Sequence, residues 1–170
     1  MQYPVIIIGT EHRLQAGHDS YSPSQIQGLS DLVEATRKKY KVKFIAEKMS
    51  DDAVPTFGVA ATVAKLLADK KNVLHRYVDL CAKDRSAISL DRLSLHRAGV
   101  SAGLTNPQFA VLNTFAGEVR EYVWLVRVLE VNVWPVLFLC GARHAARMEL
   151  LFNSVGKFAQ VEVEDYVPCR

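Results

Sequence analysis

Two wholly apolar runs, each closed by a glycine, form the strongest pattern in the chain. Residues 5–8 read Val-Ile-Ile-Ile before Gly9, and residues 136–140 read Val-Leu-Phe-Leu-Cys before Gly141. Continuous apolar runs of this length are typical of strands that are buried on both faces of a parallel sheet. Weaker or alternating apolar runs predict three further strands, over residues 42–46, 73–80 and 158–163.

A helix with clear end signals follows the first apolar run. Ser22 supplies a capping hydroxyl, a proline follows it, and Gln25 stands three residues after the cap, which together are typical of a helix start. Lysines close the segment, where the helix dipole stabilises cations. We therefore expect a helix from Pro23 to Tyr40. Apolar residues that recur every three or four positions predict further helices over residues 56–69, 106–130 and 142–155.

The longest predicted helix carries two stripes of side chains. Apolar residues from Phe109 to Leu129 recur at three and four positions and are expected to face the core. Arg120, Trp124 and Arg127 then lie on the opposite face, where a half-solvated arginine stacked on tryptophan is the usual arrangement. If this stripe faces a crevice instead, Arg120 is a candidate for binding a substrate anion or for stabilising developing negative charge.

Strands and helices alternate along the chain, which predicts an α/β fold. We expect a single domain over residues 1–170 with three layers, in which a mostly parallel sheet of about five strands has helices on both faces. Residues 81–105 depart from the alternation because their charges, leucines and glycines show no clear period. This segment is predicted to be a loop or a lid, with room for a short helix around Asp91 to Ala98.

The composition limits the classes of partner and the compartment. The chain has 170 residues, of which 49% are hydrophobic and 23% charged, and a net charge of +3, which gives no argument for nucleic acid or a membrane surface. The lysines within residues 38–43 are predicted to be a solvated helix end. Three cysteines without a Cys-x-x-Cys spacing indicate neither a disulfide framework nor a thiolate zinc site. With no export signal recognised, we expect a cytoplasmic protein that acts on a small-molecule or peptide substrate, and no oligomeric state is indicated.

Candidate chemistry follows the predicted strands, at the edge of a parallel sheet where ligands collect. The first and fourth strands share one pattern, an apolar run followed by glycine, two residues and a histidine, which selects His12 and His144. Carboxylates occupy equivalent places, with Glu11 beside the first histidine, Glu47 after the second strand and Asp79 at the end of the third. If the first and fourth strands are neighbours, both imidazoles lie at one crevice.

Two kinds of water activation fit this set of residues. A carboxylate can hold one imidazole nitrogen while the other nitrogen deprotonates water, which is general-base hydrolysis. Alternatively His12, His144, Glu47 and Asp79 can bind a divalent ion such as Zn²⁺ or Mn²⁺, which acidifies the water itself. The sequence leaves both alternatives open.

Structural explanations also exist for each candidate. His144 is four residues before Met148, on the apolar stripe of its predicted helix, where a buried and hydrogen-bonded histidine is equally expected. Glu47 is at a place where surface carboxylates are common, and Asp79 is able to cap a turn.

Three short motifs, in order along the chain, carry a family resemblance. They are Ile-Ile-Gly-Thr-Glu-His ending at His12, Arg-Glu-Tyr-Val-Trp beginning at Arg120, and Gly-Ala-Arg-His ending at His144. Together with Glu47 they resemble the TraB/Tiki proteins of the erythromycin esterase and ChaN-like superfamily. The resemblance implies a Rossmann-like domain with one hydrolytic centre, to which Glu11 also contributes. It implies a metal-dependent peptidase in the Tiki branch, metal-free activation of water by histidine in the esterase branch, and haem binding in the ChaN branch.

The sequence therefore predicts a small hydrolase, either esterase-like or resembling a metal-dependent peptidase. His12, His144, Glu11 and Glu47 are expected to activate water directly or through a divalent metal, and Arg120 is expected to bind the substrate. The alternative is a non-catalytic ligand-binding or interaction module on a reduced version of the same fold.

Overall fold

Five parallel strands form the centre of the molecule in the computed structural model, which describes residues 4–168. The strands are β1 (Val5–Thr10), β2 (Phe44–Glu47), β3 (Leu74–Tyr77), β4 (Val136–Cys140) and β5 (Ala159–Tyr166). Their order across the sheet is β3-β2-β4-β1-β5. Every pairing is parallel, so the predicted α/β architecture is confirmed.

Within residues 4–168, seven helices connect these strands. They are α1 (His12–Ala16), α2 (Pro23–Tyr40), α3 (Val63–Lys71), α4 (Ala82–Ala87), α5 (Arg92–Ser101), α6 (Asn106–Val131) and α7 (Ala145–Ser154). Short 3₁₀ turns at Val54–Phe57 and Ala142–His144 complete the connections. Helix α2 has the predicted bounds, and its start has the predicted capping box between Ser22 and Gln25.

Alternate residues of each buried strand point to opposite faces of the sheet, and each face has its own apolar core. Ile6 and Ile8 of β1 pack with α1, α2 and α3 on one face, where Leu29 and Leu67 are also buried. On the other face, Ile7 packs with buried residues of α6 and α7, including Trp124, Val128, Met148 and Phe152. The sheet therefore has helices on both faces, as the three-layer prediction required.

The two strands that precede the histidine motifs are neighbours in the sheet. Gly9 of β1 stands opposite Cys140 of β4. The chain leaves β1 toward the face that carries α1 and α2, whereas it leaves β4 toward the face that carries α7. Neighbouring strands whose connections diverge in this way leave a crevice at their carboxyl ends, which is the usual ligand site of open α/β sheets.

The predicted core face of the long helix α6 is wrong. Trp124 is only 1% exposed and faces the sheet, whereas Phe115 is 60% and Val126 51% exposed. The prediction assumed that the apolar stripe of α6 is buried. The helix instead buries a face that includes Glu121 and Trp124 beside the crevice, so the apolar pattern does not mark the buried face. The stripe of Arg120, Trp124 and Arg127 therefore lies toward the crevice, the alternative that the sequence left open.

The other predicted elements agree except at their ends. Helix α3 starts at Val63 rather than at residue 56, because Thr62 caps it by accepting from the Lys65 amide and Gly58 has a left-handed φ of 74°. Residues 81–105 contain two helices: α5 matches the short helix predicted around Asp91, and α4 was not predicted. Short helices give weak periodic signals, since one or two turns hold few apolar positions. Over residues 4–168, no helix has both the length and the apolar character that crossing a bilayer requires.

Candidate active site

The imidazoles of His12 and His144 lie on either side of Gly141. A Cβ atom placed on Gly141 would be 3.3 Å from His12 Nε2 and 3.5 Å from His144 Cδ2. The two rings thus approach the same point, as expected if the first and fourth strands are neighbours. The backbone of Gly141 does not require glycine, because its φ of −67° is accessible to any residue. Glycine is needed here for the space that its missing side chain leaves to the two rings.

The other motif glycine, Gly9, brings three segments of backbone together. A Cβ atom on Gly9 would be 1.9 Å from the carbonyl oxygen of Glu164 and 2.9 Å from the Cα of Ala142. Only glycine fits between these atoms, because both obstacles are main chain and cannot rotate away. This contact holds the end of β1 against β5 and against the loop that carries His144.

The hydrogen bonds of His144 define the tautomer of its ring. Arg143 Nε lies 3.3 Å from His144 Nε2, and a guanidinium can only donate, so Nε2 accepts. The proton of the neutral ring is therefore on Nδ1, which donates to Oε1 of Glu121 at 2.5 Å. A neutral imidazole that donates to a carboxylate through one nitrogen and carries a lone pair on the other is the arrangement of a general base.

Glu121 is held rigidly behind the ring. Its side chain is 5% exposed, and its Oε2 lies 2.5 Å from Nε of Arg147. Trp124, one turn further along α6, contacts the His144 ring edge to face at a centroid distance of 5.1 Å. The plane of the imidazole and its tautomer are thus both fixed by contacts with neighbouring side chains.

His12 has a different partner, the buried ammonium group of Lys48. The Nζ of Lys48 lies 2.9 Å from His12 Nε2, and a charged lysine can only donate, so this nitrogen of His12 accepts and its proton lies on Nδ1. Burial and the charge of Lys48 lower the pKa of His12 to about 4. His12 is therefore neutral at pH 7, and its ring has the same tautomer as that of His144.

Lys48 is a buried cation without an ion pair. The residue is 5% exposed, and within residues 4–168 no carboxylate oxygen comes within 4 Å of its Nζ, which lies 5.2 Å from the ring centre of Trp124. Burial and the nearby charge of Arg120 lower the pKa of Lys48 to about 8. Unpaired buried charges are costly and are found mainly where a function requires them.

Asp79 is part of the crevice, as a partner of Arg120 and not beside either imidazole. The guanidinium of Arg120 binds both carboxylate oxygens, with its Nε 3.1 Å from Oδ1, and the Trp124 indole donates to Oδ1 at 2.8 Å. Burial raises the pKa of Asp79, but the hydrogen bond and charge of Arg120 outweigh it and leave the pKa below its ordinary value. Asp79 therefore positions Arg120 and Trp124.

Glu47 points to the face of the sheet that carries α3, and its hydrogen-bond partners are Thr62 and His75. It is fully buried, accepts from the Thr62 hydroxyl at 2.6 Å and lies 3.1 Å from Nε2 of His75. The strand alternation explains this placement, since Glu47 points to the α3 face and its neighbour Lys48 points to the other. Glu47, which was predicted to assist the two motif histidines, thus lies beside His75, and the adjacent Lys48 contacts His12 instead.

Glu11 is exposed and accepts a short hydrogen bond from the hydroxyl of Tyr21. It lines the mouth of the crevice beside His12 without bonding to the ring. The four residues predicted as metal ligands therefore do not form one group. Glu47 lies beside His75, Asp79 binds Arg120, and His12 and His144 lie together at Gly141. In the part of the chain that the structure describes, no group of three or more histidine, cysteine or acidic side chains is placed to hold a metal ion.

Two cavities open beside the imidazoles, and Arg143 lines both. The first, which we call the lid cavity, has a volume of about 470 Å³ and lies between residues 82–95 and helix α6, with His144, Arg120 and Arg85 in its wall. The second, also about 470 Å³, lies by the ends of β1 and β5 and is lined by His12, Tyr21 and Tyr166. Cavities of this size accommodate small molecules.

Three functional candidates were missed by the sequence reasoning. Lys48 follows Glu47, and Glu121 follows Arg120, so each stood beside a residue that was selected instead. Arg143 stood within the second motif without an assigned role. The spacing of three residues between Glu121 and Trp124, on one face of α6, is the signal that identifies the buried carboxylate once that face is known to be buried.

Comparisons of the chain with protein-family models, with curated proteins and with solved structures found no match.

Proposed function

We propose that the chain is a hydrolase acting on a small molecule, in which His144 and Glu121 activate water. The observation that carries this proposal is the neutral His144 ring, which donates through Nδ1 to a buried carboxylate and has its Nε2 lone pair at the wall of a cavity. This is the geometry from which an imidazole accepts a proton while a carboxylate stabilises the resulting cation.

In the proposed reaction, a water molecule in the lid cavity donates a proton to His144 Nε2 and attacks the carbonyl carbon of an ester or amide. Glu121 stabilises the imidazolium that forms. Arg143, whose bond to Nε2 is long at 3.3 Å, moves away from the ring nitrogen, and the positive charge of the crevice stabilises the developing oxyanion. The imidazolium then returns its proton to the leaving oxygen or nitrogen as the bond to carbon breaks, which leaves an acid and an alcohol or amine.

Lys48 and Arg120 supply positive potential to the same crevice. Lys48 donates to His12 Nε2, and Arg120 is held by Asp79, so both cations stay in place before and during the reaction. Pre-positioned charge in a buried site stabilises a developing anion without the cost of reorganising solvent. His12, kept neutral by Lys48, contributes a hydrogen-bond donor rather than a second base.

The proposal corresponds to the esterase branch of the resemblance to TraB/Tiki and erythromycin esterase-like proteins. In that branch histidine activates water without metal, and His12 and His144 are the residues that match the two motif histidines. The metal-assisted alternative has weaker support because Glu47 and Asp79 already have partners elsewhere. His12 and His144 are the two side chains that would hold a divalent ion if one binds.

One observation favours the non-catalytic alternative, in which the crevice only binds a ligand. Both imidazole acceptor nitrogens are occupied by cations, His12 Nε2 by Lys48 and His144 Nε2 by Arg143. A binding module needs no free base, whereas the hydrolase needs Arg143 to move. The two proposals therefore differ in whether His144 accepts a proton.

The deciding experiment measures release of p-nitrophenol from p-nitrophenyl acetate and longer acyl esters by the purified protein. We expect turnover in the wild type, a loss of about 10²-fold or more in His144→Gln, and no change on treatment with EDTA. His18→Gln is the matched control, because His18 bonds locally to Ser20 outside both cavities.

Equal turnover in His144→Gln, His18→Gln and the wild type would refute the proposed base. Activity that is lost with EDTA and restored by Zn²⁺ or Mn²⁺ would instead support the metal-assisted reaction. Absence of turnover on every ester, with folded protein by circular dichroism, would favour the binding module.

A further inference from the structure

Three arginines from three different elements converge on the lid cavity. Arg85 comes from α4, Arg120 from α6 and Arg143 from the 3₁₀ turn after β4. Each guanidinium presents several fixed donors, so the cavity wall offers hydrogen bonds from three directions. Such convergence is not needed to fold the chain, because the apolar cores lie elsewhere on the two faces of the sheet.

The carboxylates around these arginines do not neutralise them. The single carboxylate of Asp79 is shared by two of the arginines, since Arg120 binds both of its oxygens and Arg85 Nη1 lies 3.7 Å from its Oδ2. Within the described ranges, Arg143 has no carboxylate oxygen within 4 Å. Asp91, which also lines the cavity, accepts from the Ser94 amide as the cap of α5. The cavity thus has a surplus of positive charge, and buried Lys48 adds to it from behind.

Apart from the arginines, His144, Asp91 and Asn113, the lid cavity is lined by small and aliphatic residues. Leu90 and Leu95 line it from the α4–α5 segment, and Ala116 and Gly117 line it from α6. Small side chains on α6 leave space beside His144, where a bound molecule would extend from the arginines. This part of the cavity fits a short aliphatic chain and has few polar groups for a sugar or a base.

We propose that the substrate is a small aliphatic ester with a phosphate group, and that Arg85, Arg120 and Arg143 bind the phosphate. Three donor groups from three directions match the three terminal oxygens of a phosphate monoester, whereas a carboxylate presents two oxygens in one plane. The phosphate serves as a handle that places the ester carbonyl beside His144. This inference rests on the proposed hydrolase function for the reaction, but the anion site stands on the cavity alone.

The test measures binding without turnover, by isothermal titration of the full chain with inorganic phosphate and with glycerol 3-phosphate. We expect both to bind, and we expect Arg85→Gln and Arg143→Gln each to weaken binding about tenfold or more, since each removes a charged donor. Arg143→Lys should restore part of the affinity, because the charge returns without the fork of donors. Arg97→Gln on α5 is the matched control, since Arg97 is exposed and lies outside the cavity wall.

Each outcome decides the proposal. Acetate or glycerate binding as tightly as phosphate would overturn it in favour of a carboxylate site, and equal affinity in all arginine variants would show that the phosphate binds elsewhere. Titration of His144→Gln separates the two proposals. Phosphate binding that persists in this variant, together with absent ester hydrolysis in the wild type, would retain the anion site and refute the hydrolase.

Discussion

Glu121 accepts a hydrogen bond from Nδ1 of His144 at 2.5 Å, and this contact joins the long helix α6 to the loop after β4. The two residues are distant in sequence and are brought together because α6 packs its polar stripe against the end of the sheet. The contact gives the ring one tautomer and leaves Nε2 as the acceptor. Four predictions follow from this arrangement and its neighbours.

We expect Glu121→Gln to keep the fold and to lose most hydrolytic activity. The amide can still bond to the ring, but it cannot stabilise an imidazolium, so kcat should fall about 10²- to 10⁴-fold. The measurement is kcat against pH on an ester that the wild type hydrolyses. Glu118→Gln is the control, since Glu118 pairs with the same arginine, Arg147, at 2.7 Å without touching the ring. Comparable kcat values for the two variants would contradict the role assigned to Glu121.

Lys48→Met should stabilise the protein at pH 7 while reducing turnover. The pKa of Lys48 is lowered to about 8, so its charged form is better tolerated in the unfolded chain. That cost is fully present below pH 8 and disappears as the pH rises toward 10.5. Removing the ammonium should therefore raise the free energy of unfolding at pH 7 by about 1–3 kcal/mol.

Urea unfolding at pH 7 and pH 10 measures this effect, and the gain should shrink at the higher pH. Lys70→Met, at an exposed position of α3, should change the free energy of unfolding by less than about 0.5 kcal/mol. A destabilised Lys48→Met protein with unchanged turnover would show that the lysine is structural.

Acid should destabilise the folded wild type because His12 resists protonation in the folded state. Its pKa is lowered to about 4, so the unfolded chain binds a proton between pH 6.5 and 4 that the folded chain excludes. The free energy of unfolding should fall as the pH falls across this window, by up to about 3 kcal/mol from this group. His12→Gln lacks the group and should show a shallower dependence, measured by urea unfolding at half-unit steps. The exposed His96 gives the control variant His96→Gln, whose profile should match the wild type; an unchanged slope in His12→Gln would refute the assignment.

Alanine should affect a different property at each of the two motif glycines, stability at Gly9 and turnover at Gly141. In Gly9→Ala the new Cβ would meet the Glu164 carbonyl oxygen at 1.9 Å, so we expect destabilisation by about 3 kcal/mol or more. In Gly141→Ala the new Cβ would lie 3.3 Å from His12 Nε2, which the side chain accommodates by a small shift. Stability should change by about 1 kcal/mol or less, while kcat falls about tenfold because the imidazoles are displaced. Thermal unfolding and ester turnover distinguish the two, and full activity in folded Gly141→Ala would contradict the shared crevice.

The sequence was sufficient for the sheet and for the meeting of the two histidines. Strands buried on both faces give unbroken apolar runs, and the glycine after each run marks its end, so β1 and β4 and the loops after them were predictable. The partners of the histidines were not. The sequence Phe-Ile-Ala-Glu-Lys at residues 44–48 does not indicate which face of the sheet each of its last two side chains points to. Because neighbouring side chains of a strand point to opposite faces, an error of one position exchanges Glu47 for Lys48.

Helix α6 shows a second limit. The stripe of α6 that was predicted to face the core is the more regular apolar one, yet it includes the exposed residues Phe115 and Val126. The apolar pattern therefore favoured the wrong face of the helix. The buried stripe is identified by Trp124 packing on His144, a contact between segments that local periodicity does not contain.

The strand order has a consequence for how the chain is made. Strand β4 lies between β1 and β2 in the sheet, yet it begins only at Val136, long after β2 has ended at Glu47. Until it emerges from the ribosome, β1 and β2 expose unpaired edges along a central gap, which makes a nascent chain of this length a natural substrate for chaperones. Since His144 arrives with the same segment, the crevice is completed only when the sheet is closed, and no earlier intermediate carries it.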